Sequence, residues 1–74
     1  MNKGNYVENR IWNSACMILQ KYENKDLAHD AHGIWLMAGD CLKYMIVPYR
    51  QHPMACELMR CMVDHYCNLY KAAS

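Results

Sequence analysis

At 74 residues the chain is a single domain (1–74) near the size where one core hides only about 60% of the unfolded surface, so disulfides, a metal or self-association must help it. A formal net charge of +1 argues against the basic field of a nucleic-acid binder and against an acidic surface that imitates DNA. No apolar run approaches the roughly 20 residues that span a bilayer, and the polar start Met1–Asn5 does not read as a signal peptide, so the expectation is a cytoplasmic chain with no membrane partner.

In chain order, the first predicted helix covers about residues 6–22. Asn5 is placed to cap it, with Glu8 reaching back as the other half of a capping box. Val7, Ile11, Ala15, Ile18 and Tyr22 recur at helical spacing as its apolar face, widened by Trp12, Met17 and Leu19. The polar segment Glu23, Asn24, Lys25, Asp26 reads as a turn, with Asp26 as the cap of a second helix.

That second helix is predicted over about 27–46. Leu27, Ala31, Ile34, Ala38, Cys41 and Met45 form a narrow seam for close packing, and Trp35, Gly39, Leu42 and Ile46 offer a flank to a second partner. Gly33 and Gly39 each cost about 1 kcal/mol relative to Ala in a helix interior, and close approach of another backbone is the usual reason for accepting it. Pro48 is expected to end the helix by pushing Val47 out of the helical region.

The third helix, about 53–71, starts with Pro53 at its first position. Its polar residues Glu57, Arg60, Asp64, Asn68 and Lys71 step by three and four into one thin stripe, and nearly everything else is apolar, so it should be covered on two sides. The short connection predicts an antiparallel hairpin of the second and third helices, with His65 beside Trp35 and Asn68 beside His32. The fold class is all-α: three helices assembled as a homo-oligomeric bundle. An exchanged third helix between copies is an open alternative.

Chemistry-bearing groups are sparse. His29, Asp30 and His32 with Cys61, His65 and Cys67 have spacings that share helix faces, but no close Cys pair marks a zinc site, so neither a metal nor another cofactor is expected. The dipeptide His29–Asp30 resembles that of HD-type metal-dependent phosphohydrolases; the distant ligands of such a site need a much longer chain. The five cysteines read as reduced core filler, as do the seven methionines. A reactive thiol needs a held base in a water-excluding pocket, and no catalytic arrangement is predicted.

The densest group of hydrogen-bonding side chains is Tyr49, Arg50, Gln51 and His52, bounded by two prolines. Arg50 suits a carboxylate or phosphate, and Tyr49 suits a partner surface. The expected function is a small non-enzymatic oligomer that binds another protein and modulates its activity, in the manner of compact phage or mobile-element regulators. The alternative is an oligomer that holds a small anionic ligand, such as a nucleotide, in pockets between subunits, with Arg50, Tyr49 and His29 or His32 of neighbouring subunits as contacts.

Overall fold

The four-three-four spacing of Ile11, Ala15, Ile18 and Tyr22 does what its period demands: in the computed structural model all four are buried on one face of helix α1, Lys3–Tyr22. The structure describes residues 3–74, with side chains from Tyr6 onward. Helix α1 starts ahead of Asn5, which stands in its first turn; the Asn5 side chain and its capping box lie outside the described residues. Trp12, Met17 and Leu19 do not widen the buried face. They are exposed, because α2, the segment after it and α3 cover one side of α1 only.

The second helix is not continuous from residue 27. Leu27–His29 is a single 3-10 turn, and α2 proper is Ala31–Cys41. The cap is Asp30 and not Asp26: the Asp30 carboxylate accepts from the Gly33 amide at 2.8 Å. Gly33 makes this possible. A Cβ there would stand 2.6 Å from Asp30 Oδ2 and 2.7 Å from Leu27 Cδ2, so the cap and the buried Leu27 occupy the space a side chain would need.

The seam of α2 is also shifted. Leu27, Ile34, Cys41 and Met45 are buried as expected, but Ala31 is exposed and Ala38 only half-buried, and Met37 fills the core instead. Helix α2 passes directly into a π-helical segment, Leu42–Ile46, closed by Val47 N–H donating to Leu42 O at 3.0 Å. Val47 keeps helical angles (φ −63°, ψ −48°), so Pro48 does not displace it. Proline lacks an N–H and crowds the carbonyl four residues back, and the wider turn relieves both problems. The chain reverses later, at Arg50 and Gln51, which have φ of 54° and 57°. The Gln51 amide donates to Ile46 O at 2.9 Å, the long-span bond of a left-handed helix cap, made here without glycine.

Helix α3, Pro53–Ala73, has proline in its first turn, and the His52 ring caps it. Its polar stripe points outward, with Arg60 bonded to both Glu57 and Asp64 (3.2 Å to the latter). Ala55 and Met62 are buried, and Met54, Leu58, Met59, Val63, Tyr66 and Cys67 pack half-buried against the core, while Leu69 and Tyr70 are exposed. One side of α3 is covered, against α2 and the 3-10 turn. The described residues thus form three α-helices and no strand, and none of these helices is long and apolar enough to cross a membrane.

The molecule measures 45 × 20 × 17 Å, and its radius of gyration of 12.9 Å exceeds the about 11 Å of a globular chain this long. An elongated body has more surface per core residue. That is the physical reason so many apolar side chains stay in water.

Candidate functional site

The turn at residues 49–52 is held rigid by local bonds, and its side chains point to different tasks. Tyr49 is half-buried against the core, and its hydroxyl faces Arg10 of α1. Arg10 also donates to the Tyr6 hydroxyl at 3.0 Å, and the Tyr49 and Tyr6 hydroxyls together hold its guanidinium above its ordinary value. Arg50 and Gln51 are exposed on left-handed backbone, a conformation that costs a non-glycine residue about 1–2 kcal/mol. No carboxylate pairs with Arg50 among the described residues.

His52 caps α3: its Nδ1 accepts from the Met54 amide at 3.0 Å, in the tautomer whose proton is on Nε2, which leaves the Nε2–H as a donor. The sequence reading missed this because imidazole is an uncommon cap.

His29 and His32 lie at the other end of α2, on the order of 25 Å away along the helical rod. They do not join the turn in one site. His29 Nδ1 is 2.8 Å from Asp26 Oδ2 on the surface, and the His32 ring stacks on Trp35 with centroids 6.3 Å apart. His65 packs edge-on against Tyr66. Among the described residues, no three histidine, cysteine, aspartate or glutamate side chains converge as metal ligands would. The cysteines are unbridged, and only Cys41 is fully buried; Cys56 and Cys61 are exposed, contrary to their expected use as filler. Burial pushes the Cys41 thiol up to about 11, which keeps it protonated and unreactive.

A second polar cluster was not anticipated. Asp40 Oδ2 accepts from Lys21 Nζ at 2.8 Å and from the Tyr22 hydroxyl at 2.7 Å. The Lys21 ammonium holds the Asp40 carboxyl below its usual range against the opposing effect of burial. Burial, and then Asp40, keep the Tyr22 hydroxyl protonated to a higher pH than usual. Lys21 and Asp40 line an open groove of about 270 Å³ with Ser14, Met17, Ile18 and Tyr44. Lys21 and Tyr22 both bond to the one carboxylate oxygen, so the cluster ties α1 to α2. Nothing in local spacing announces it, since Lys21 and Asp40 stand 19 residues apart across a turn.

Comparison with protein-family models, curated proteins and solved structures finds no match. Function therefore rests on the surface itself. Beyond the polar clusters, that surface carries several uncovered apolar side chains, with Trp35 73% exposed, Val47 72% and Met17 69%.

Proposed function

We propose that this chain is a small non-enzymatic helical protein that self-associates and docks on another protein, whose activity it modulates. The observation that carries the reading is the exposure of Trp35, Val47 and Met17, three large apolar side chains for which the chain itself provides no cover. In this reading α2 and α3 form an antiparallel hairpin, favoured by the short connection and the two left-handed residues that reverse it. The hairpin presents Arg50 and Gln51 at its tip, with Tyr49 as the apolar anchor behind them. A docking role of this kind, in the cytoplasm, suits a regulator encoded by a phage or mobile element.

The test is affinity capture from the source cells with the native chain and with Arg50→Ala. The expected result is one protein retained at fixed stoichiometry by the native chain and lost with Arg50→Ala, whose thermal unfolding stays unchanged. Equal retention by both chains rules out the turn as the docking point. Absence of any stoichiometric protein removes the reading.

A second reading has one observation in its favour: Arg50 is a cation without a carboxylate partner among the described residues. Copies of the chain would then enclose a small anionic ligand such as a nucleotide between subunits. Native mass spectrometry of protein purified without chelator decides it, through the presence or absence of a stoichiometric extra mass.

A further inference from the structure

The chain has three arginines, and their partners differ. Arg60 is bonded to both Glu57 and Asp64 on the outer stripe of α3. Arg10 and Arg50 have no carboxylate partner among the described residues. Both are exposed beside Tyr49: Arg10 faces its hydroxyl from α1, and Arg50 follows it in the chain. The Arg10 guanidinium is not loose. It donates to the Tyr6 hydroxyl at 3.0 Å and lies over the Tyr6 ring, 5.6 Å from the centroid, so tyrosines orient the fork and leave its charge uncancelled. Arg50 is held by its backbone, at a left-handed φ of 54° that glycine would adopt without strain, so the turn itself has no need of arginine there.

The surroundings share one sign. Residues 41–56 contain Lys43 and Arg50 and no acidic side chain. Neither α1 nor α3 has an acid in its first turn, and both helices begin at this end, so their positive ends add to the field. Glu8 of α1 is two residues from both Tyr6 and Arg10, which turns it about 200° around the helix from their face. Glu23, Asp26 and Asp30 belong to the connection at the opposite end of the rod.

We propose that Arg10 and Arg50 form a two-pronged docking site for an acidic segment of the partner protein, each guanidinium pairing with one carboxylate. The inference rests on the protein-docking reading and names the chemistry of the partner. Arg10 and the backbone of Arg50 are separated by about one tyrosine side chain, a span that an extended peptide covers in two or three residues at about 3.3 Å each. Both arginines stand on open surface, which suits a chain lying across them, whereas a small ligand needs a pocket that buries most of it. A nucleic acid fits less well, because two arginines and one lysine neutralise few phosphates. Gln51, exposed at the same tip, is available to bond the peptide backbone.

The experiment is fluorescence anisotropy of a labelled hexaglutamate peptide titrated with the native chain, Arg10→Gln, Arg50→Gln and Lys71→Gln, with ATP and hexathymidylate as competitors. The expected result is saturable binding by the native chain that weakens as salt is added. Affinity should fall at least about fivefold in each arginine variant. Lys71→Gln removes an equal charge from the far end of α3 and should bind like the native chain. Arg50 is exposed, so unchanged thermal unfolding of Arg50→Gln is expected and checks that the variant folds. No binding of hexaglutamate at low ionic strength, or equal losses in Lys71→Gln and the arginine variants, overturns the site. So does displacement of the label by ATP or hexathymidylate at lower concentration than by unlabelled hexaglutamate. The docking reading stands through any of these failures if capture from the source cells still retains a protein at fixed stoichiometry, and falls only when none is retained.

Discussion

At the start of α2, Gly33 is buried, with the Asp30 carboxylate and Leu27 methyl inside the space of an absent Cβ; near the helix end, Gly39 faces open solvent with no atom in reach. Both positions have the same helix-propensity cost. The first is compensated within the chain, by a cap and a buried leucine, whereas the second has no internal compensation. The contrast teaches that a helical glycine acquires meaning only from what occupies its missing side chain, and that an unexplained one directs attention outward.

Substitution sharpens that contrast. Gly33→Ala forces a methyl against the cap and Leu27 and should destabilise the chain by about 2 kcal/mol, lowering the melting temperature by about 10 °C in a dilute thermal denaturation followed by circular dichroism. A loss too small to measure would mean that Asp30 moves aside freely, and the distinction between the two glycines would collapse. Asp30→Ala should cost about 1 kcal/mol through the lost cap. Combined with Gly33→Ala it should cost less than the sum of the two, because removing the carboxylate relieves part of the clash. Gly39→Ala in dilute solution should go the other way, stabilising the chain by about 0.5–1 kcal/mol.

The smallest effect concerns pH. Asp40 has a folded-state pKa below its unfolded value, so its contribution is present above the ordinary carboxylate range and is lost as pH falls through the lowered value. Lys21 is largely solvated, which screens the pair and keeps the effect small. Urea titrations at successive pH values should show a weak acid-side decline in stability that Asp40→Asn flattens.

Much of the helical architecture was legible from the sequence. Ile11, Ala15, Ile18 and Tyr22 announce α1 through period alone, and the Glu57–Lys71 stripe announces the outer face of α3, because both depend on local geometry. The start of α2 was not legible. Asp26 and Asp30 both precede apolar residues, and only the space at Gly33 decides between them. The candidate turn was located correctly as a connection; the capping of α3 by the His52 ring was not foreseen, and His29 and His32 stand at the far end of the rod from it. Lys21, Tyr22 and Asp40 were invisible as a group, since only tertiary packing brings them together.

The π-helical segment Leu42–Ile46 has a consequence for chain length. A turn closed by a bond spanning five residues holds one residue more than an α turn, and each residue of an α-helix advances the chain by about 100°. Four residues of ordinary α winding cover about the same angle as the five of this wide turn, so removing any one of the five would restore that winding and leave α3 near its present bearing. The segment acts as a phase absorber: the surplus residue is taken up where it stands, so this stretch should tolerate loss of one residue far better than the regular turns of α2.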